Sequence, residues 1–119
     1  MPFEIEFSAR SERDLELIFD HLMDSYLGFG ESFEEAFDNA IRRVLGIRKA
    51  AAGLSWFPLR GTLRDDISPG ARHLSIDRAT YWFTVDEAAG KVHILAVFFG
   101  GQDHIRHMLL RLLRRSDPH

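Results

Sequence analysis

The side chains that could catalyse a reaction in this chain are arginine, histidine and tyrosine, because it contains no cysteine. Cleavage of RNA through its own 2′-hydroxyl needs a base, an acid and cations that stabilise the charged phosphorane. Arg72 and Arg78 flank one predicted strand and Tyr81 lies in the next, so the three could share a face of a sheet. Alternatively, arginines at strand ends are solvated or paired with a carboxylate. The candidate carboxylates are Asp65, Asp66 and Asp77.

Two histidines, His104 and His107, stand at i and i+3 in the first turn of a predicted helix, next to Asp103. This spacing could hold a metal ion or a phosphate. No other pair of ligands converges with them in the sequence, so we interpret the segment as a capped, exposed turn and predict no metal and no cofactor. Two further cations, Arg60 and Arg64, precede the strands. His93 interrupts an apolar strand and is predicted to be a hydrogen-bonded core histidine.

The elements that would position these residues begin with residues 3–7, whose alternating apolar and acidic side chains predict a strand. Apolar residues at helical spacing then predict a helix from Ser11, the expected N-cap, to about Tyr26. Gly28 and Gly30 are expected to end it. The chain therefore opens with a strand and a long amphipathic helix.

A second helix is predicted to start at Ser32, because Glu35 three residues later completes a capping box, and to continue to about Ala51. So short a connection to the first helix predicts an antiparallel helix hairpin. Residues 54–70 contain several Pro and Gly residues and are predicted to form an ordered loop.

The second half of the chain has strand patterns over residues 71–76, 79–85 and 92–99, which predict an antiparallel meander. The last strand is almost wholly apolar, as expected for a strand in the middle of a sheet. A third helix follows, capped by Asp103, with an apolar stripe from Ile105 to Leu113. We thus predict one α+β domain over residues 1–119: a helix hairpin on a small, mainly antiparallel four-stranded sheet, in the order β-α-α-β-β-β-α.

The bulk composition narrows the possible functions. Of 119 residues, 45% are hydrophobic, which is enough for one core, and the net charge is −3. This balance argues against broad binding of nucleic acid through its phosphates. Neither a secretion signal nor an apolar run of membrane-spanning length is present in the pattern, so we expect a cytoplasmic protein without a membrane partner.

Five short motifs, taken in order, carry a resemblance to a known family. They are Ser8-Ala9-Arg10 to Asp14-Leu15, the Pro58 and Gly61 pair, Gly70-Ala71-Arg72, Tyr81-Trp82-Phe83-Thr84-Val85-Asp86, and Val97-Phe98-Phe99-Gly100-Gly101-Gln102-Asp103. In their order and spacing they resemble the RelE/ParE superfamily of toxin-antitoxin systems, and most of all its ParE or plasmid-stabilisation branch. The resemblance spans nearly the whole chain.

The resemblance implies the toxin of a type II toxin-antitoxin system, neutralised by a cognate antitoxin in a tight hetero-oligomer. The ParE branch poisons DNA gyrase, whereas the RelE branch cleaves mRNA on the ribosome. The chain lacks the lysine-rich patch of the nucleases, since its only lysines are Lys49 and Lys91. This weakens the nuclease alternative, and because the resemblance is strongest to the ParE branch, it implies a ParE-type gyrase inhibitor. The alternatives are a RelE-like ribosome-dependent mRNA endoribonuclease that uses Arg72, Arg78 and Tyr81, and a non-toxic relative that still binds antitoxin.

Two sets of residues are predicted to bind the antitoxin or the target. Adjacent aromatics in a strand point to opposite faces, so one of each pair lies away from the hairpin; we select Trp82 and Phe99. The third helix, an antitoxin helix or strand, or both together could cover that second face. The polar face of the third helix carries Arg106, Arg111 and Arg114, which could contact an acidic antitoxin tail or remain solvated.

Overall fold

The computed structural model describes residues 2–100 and 103–115, and over these residues three helices pack on a five-stranded sheet. The elements, in chain order, are β1 (Glu4–Phe7), α1 (Ala9–Gly28), α2 (Phe33–Ala50), a 3-10 helix (Ala51–Ser55), β2 (Thr62–Leu63), β3 (Arg72–Ile76), β4 (Ala79–Asp86), β5 (Lys91–Phe99) and α3 (His104–Arg115). This confirms the predicted α+β class and helix hairpin. None of the described helices is long and apolar enough to cross a membrane.

The first helix starts earlier than predicted. Its N-cap is Ser8, whose side chain accepts a hydrogen bond from the Ser11 amide at 3.0 Å. Ser11 is fully buried and donates its hydroxyl to the Ser8 carbonyl. The prediction of Ser11 as N-cap was therefore wrong by one turn, because two serines three residues apart fit the same pattern. The predicted capping box of α2 is confirmed, with reciprocal hydrogen bonds between Ser32 and Glu35.

The sheet has the order β1-β5-β4-β3-β2, with β1 parallel to β5 and every other pair antiparallel. The prediction of four strands missed β2, a two-residue strand inside the segment expected to be a loop. Gly61 makes this pairing possible: its φ is +83°, and a Cβ there would lie 2.3 Å from the His73 carbonyl oxygen. Only glycine tolerates both the left-handed conformation and so close an approach.

A bulge divides β5. Trp82 of β4 is opposite Ala96 and Phe83 is opposite Ile94, so Leu95 has no partner in β4. The bulge coincides with the end of β1, whose pairing with β5 stops at Ile94. Beyond this point the outer edge of β5 faces α1 instead of another strand, and its backbone groups need other partners.

Each face of the sheet has its own core. Tyr81, Phe83 and Ile94 pack against the helix hairpin, together with the buried leucines and isoleucines of α1 and α2. On the opposite face, Trp82 and Ala96 pack against Met108 of α3. The third helix therefore covers the second face of the sheet within the chain.

Candidate functional site

A cleft of about 720 Å³ opens where α1, the outer end of β5 and α3 meet. Its lining includes Leu17 and His21 of α1, Phe98 and Phe99 of β5, Arg78 of the β3–β4 turn, and His107 and Arg111 of α3. A smaller cavity of about 270 Å³ shares part of this lining and adds Arg10, Arg13 and Arg114. We call the two together the basic cleft. It gathers four of the residues predicted to bind a partner or RNA, Arg78, Phe99, Arg111 and Arg114, and also His107.

An ion pair between Asp14 and Arg111 lines the basic cleft. The guanidinium donates to both carboxylate oxygens, at 3.0 Å from Nη1 and 2.7 Å from Nη2. Only 9% of the Asp14 side chain and 18% of the Arg111 side chain are exposed. This two-point pairing fixes α3 against α1.

The bulge in β5 explains why the pair lies here. Because β1 has ended, the Val97 amide donates to Asp14 Oδ2 at 2.9 Å instead of to a strand. The carbonyl of Leu95 accepts from Arg111 Nη1 at 3.3 Å, and the same guanidinium lies 5.4 Å from the centre of the Phe98 ring. Asp14 and Arg111 thus form hydrogen bonds with backbone groups on the unpaired edge of β5 as well as with each other.

Arg78 is presented from an unusual backbone position. It follows Asp77 in the two-residue turn between β3 and β4, and both have positive φ, +47° for Asp77 and +71° for Arg78. Two-residue hairpin turns favour positive φ at both central residues, a conformation that Asp adopts more readily than Arg. The turn places the Arg78 guanidinium 5.8 Å from the Phe99 ring centre, while Arg43 approaches the same ring at 5.4 Å.

The basic cleft has a surplus of positive charge. Asp14 is already paired with Arg111, and the ion pairs among the described residues do not include Arg10, Arg78 or Arg114. These arginines surround an aromatic floor with His21 and His107 nearby. Such a surface favours an anionic partner that also has apolar groups.

The residues proposed for RNA cleavage are not brought together. Tyr81 is fully buried on the hairpin side, where its hydroxyl donates to the Ile47 carbonyl at 2.5 Å. Burial raises the pKa of Tyr81 to about 12, so its proton is held tightly. Arg72 begins β3 and Arg78 lies in the turn beyond its end, so the two are separated by the length of the strand, about 13 Å for its four extended steps.

The alternative of a carboxylate partner also fails for both arginines among the described residues. Arg72 donates to the Leu59 carbonyl at 3.4 Å, and Arg78 lies over Phe99. Of the expected acids, Asp66 pairs with Arg64 at 2.8 Å and the Asp65 carboxylate accepts from the Gly70 amide. The ion pairs within residues 2–100 and 103–115 do not include Asp77, whose backbone carbonyl accepts from Arg43.

Trp82 is enclosed under α3. Its indole nitrogen donates to His104 Nδ1 at 3.1 Å, and the His104 ring lies 4.7 Å from that of His73. Burial is the main cause that lowers the pKa of both histidines, so both rings are neutral near pH 7. His107 instead stacks on Phe98 at 5.8 Å, so His104 and His107 face different neighbours. In residues 2–100 and 103–115 no three potential metal-ligating side chains form a group.

The other predicted residues have mixed outcomes. Phe99 lies on the hairpin side, and Phe98 is the aromatic that shares the α3 face with Trp82. Arg106 is exposed on α3, where its amide donates to Asp103 Oδ1 and confirms that cap. The core assignment of His93 was wrong, because its ring is 40% exposed and lies 3.3 Å from Glu6. Gly101 and Gln102 lie outside the described residues.

Sequence reasoning missed the role of Asp14, although a signal was present. Asp14 falls beside Leu15 and Ile18 on the apolar stripe of α1, where an unpaired carboxylate would be costly. A charge at such a position implies a buried partner. Arg10 and His21 carried no comparable signal, since each occupies an ordinary helix position.

Comparison with known proteins identifies the fold. No protein-family model and no curated protein sequence matches the chain. Among solved structures, a chain of the chromosomal ParDE TA system from P. aeruginosa matches with a TM-score of 0.61 and 20% identity, over 82% of this chain and 96% of that one. A chain of the toxin-antitoxin complex RelBE2 from Mycobacterium tuberculosis matches with a TM-score of 0.60 and 20% identity, over 86% and 95%. The resemblance found in the sequence is thus confirmed at the level of architecture: this chain has the RelE/ParE fold.

Proposed function

We propose that this chain is the toxin of a type II toxin-antitoxin system and acts as a ParE-type inhibitor of DNA gyrase. The observation that carries the proposal is the fold, which aligns with 96% and 95% of chains from two toxin-antitoxin complexes. A cognate antitoxin is then the expected tight partner. Fold alone does not choose the target, so the choice of gyrase rests on the site.

The geometry of the site favours binding over catalysis. RNA cleavage needs an acid, a base and cations within hydrogen-bond reach of one phosphate. The tyrosine is buried and hydrogen-bonded, and Arg72 and Arg78 stand at opposite ends of β3. By contrast, the basic cleft offers arginines around half-buried aromatic side chains, which suits recognition of an acidic protein segment.

The basic cleft is therefore the surface that we assign to the antitoxin or the target. Arg78 and Arg114 lie on its rim, and Phe98 and Phe99 form its floor. Arg111 contributes indirectly, because its charge is committed to Asp14. Trp82 contributes through packing, since α3 encloses it.

The test begins with inducible expression in a bacterial host, with and without the antitoxin gene from the same operon. Growth arrest that the antitoxin reverses is the expected result; normal growth with soluble protein would mean a non-toxic relative. Purified toxin should then inhibit gyrase supercoiling while ribosome-bound mRNA stays intact. Cleaved mRNA with active gyrase would reject the gyrase proposal and identify a RelE-like nuclease.

A further inference from the structure

One partly exposed apolar surface of the molecule lies outside the two buried cores and the basic cleft. Phe33, Phe37, Ile41 and Leu45 follow one another at every fourth position of α2 and are 66%, 40%, 38% and 59% exposed. Residues spaced in this way form a continuous strip along one side of a helix. We call this strip the α2 stripe. Contiguous exposed apolar surface of this kind marks an interaction site.

The stripe borders a groove that a second helix could enter. A cavity of about 430 Å³ lies between α1 and α2, with Leu15 and Phe19 on one side and Ile41 and Leu45 on the other. The ring of Phe19 contacts that of Phe37 edge-on, at 5.7 Å between centres. The ridge of α2 and this neighbouring groove are complementary surfaces on the same molecule, as self-association requires.

The charges beside the stripe indicate the partner. The first half of α2 carries Glu34, Glu35 and Asp38, whereas its second half carries Arg42, Arg43, Arg48 and Lys49. Asp38 and Arg42 are exposed, one turn apart, along the same edge of the stripe. A partner of one charge sign, such as an acidic peptide or a nucleic acid, would meet like charge over half of the helix. A second α2 running antiparallel would meet opposite charge along its whole length.

We propose that two copies of this chain associate through the α2 stripe, antiparallel about a two-fold axis beside Ile41. In this arrangement Phe37 of one copy meets Leu45 of the other, and Asp38 of one copy faces Arg42 of the other. The two-fold repeats each contact, so the dimer holds two such charge pairs. The surface lies on the outer side of the hairpin, and the inference is independent of the proposed toxin function.

The first measurement is sedimentation velocity of the purified chain from about 1 to about 200 μM, a range that spans weak to moderate dimers. A monomer that converts to a dimer as concentration rises is expected. Asp38→Arg and Arg42→Asp should each weaken dimerisation about tenfold, because both place like charges opposite each other. Glu87→Arg is the control: it changes net charge by the same amount as Asp38→Arg, on the exposed β4–β5 turn.

Mixing the two variants gives the decisive result. The Asp38→Arg variant has arginine at positions 38 and 42, and the Arg42→Asp variant has aspartate at both of these positions. In a heterodimer of the two variants, each arginine therefore faces an aspartate. Equal parts of the two weakly dimerising variants should therefore dimerise at least as well as the unmodified chain. The double variant Asp38→Arg/Arg42→Asp should also recover self-association. A wild-type chain that stays monomeric throughout, or a mixture that fails to dimerise, would overturn the proposal.

Discussion

At the scale of single residues, the Asp14–Arg111 pair determines how the basic cleft is built. Both side chains are largely buried, and Asp14 also accepts the Val97 amide. We expect Arg111→Gln to lower the free energy of unfolding by about 3 kcal/mol, because it leaves a carboxylate without its counter-charge in a poorly solvated site. Asp14→Asn should have an effect of the same order. Urea denaturation of each variant measures this effect.

The control for this prediction is another arginine–carboxylate pair of similar length. Arg13 and Glu16 are 2.7 Å apart on the same helix, but 66% of each side chain is exposed. Arg13→Gln should change stability by less than about 0.5 kcal/mol, since solvent screens such pairs. Equal losses for Arg111→Gln and Arg13→Gln would show that burial does not strengthen the Asp14–Arg111 pair.

The sequence predicts which face of the sheet a side chain occupies as long as successive residues alternate between the two faces. This prediction fails at the bulge in β5. Counting by twos from Ile94 places Ala96 and Phe98 on the hairpin face. The extra residue Leu95 reverses this, so Val97 and Phe99 face the hairpin and Phe98 faces α3. No local pattern in the strand marks the bulge, and the Asp14 carboxylate that binds the Val97 amide beyond it is distant in the sequence.

At the scale of elements, the N-terminal caps of α2 and α3 were easier to predict from the sequence than the short strand β2. The α2 capping box is a local interaction and was predictable, as was the cap of α3 by Asp103. The two residues of β2 carry no periodicity that could be detected, and they pair only because Gly61 lets the chain approach β3. The parallel pairing of β1 with β5 is likewise set by long-range contacts.

The docking of α3 should depend on pH through the His73–His104 pair. His104 accepts the Trp82 indole proton at Nδ1, and burial lowers the pKa of both imidazoles from 6.5. Each ring also lies near the Arg64 cation, which opposes protonation, whereas Asp103 partly offsets this for His104. A histidine whose pKa is lower in the folded state than in the unfolded state favours folding while it is neutral. Its contribution to the free energy of unfolding is therefore complete above about pH 6.5 and is lost as the pH falls through its pKa in the folded state.

Trp82 fluorescence in a Trp56→Phe background reports this transition, because the two tryptophans are Trp56 and Trp82 and the former is exposed. We expect unfolding to require less urea at pH 5.5 than at pH 7.5. His104→Asn retains an acceptor near Nδ1 but cannot take up a proton, so it should reduce the difference between the two pH values. An equal pH dependence with and without His104 would contradict the prediction.

At the scale of the whole molecule, a net charge of −3 conceals a segregated distribution. Arg10, Arg78 and Arg114 gather around the basic cleft, whereas Glu12, Glu16 and Asp20 border the groove beside the α2 stripe. The net charge was the basis for expecting no broad binding of nucleic acid, but it does not reveal where the arginines gather. The location of the cleft depends on how α1, β5 and α3 meet, which no local sequence pattern specifies.

This separation of surfaces gives a prediction for activity. Arg78→Gln combined with Arg114→Gln removes two exposed cations from the cleft rim. Under the proposed function, about tenfold more of this variant than of the unmodified chain should be needed to inhibit gyrase supercoiling. Arg72→Gln, at the far end of β3, should leave inhibition unchanged. Inhibition by the unmodified chain should also weaken as salt rises, because counter-ions screen exposed charges.

The same variants distinguish a binding toxin from a nuclease. If the chain cleaved ribosome-bound mRNA, an arginine that stabilises the transition state would be required, and loss of cleavage in Arg72→Gln would indicate that role. Circular dichroism must first show that each variant is folded. Toxicity that survives Arg72→Gln but is lost with the two cleft-rim substitutions would support binding through the basic cleft, and the reverse pattern would reject it.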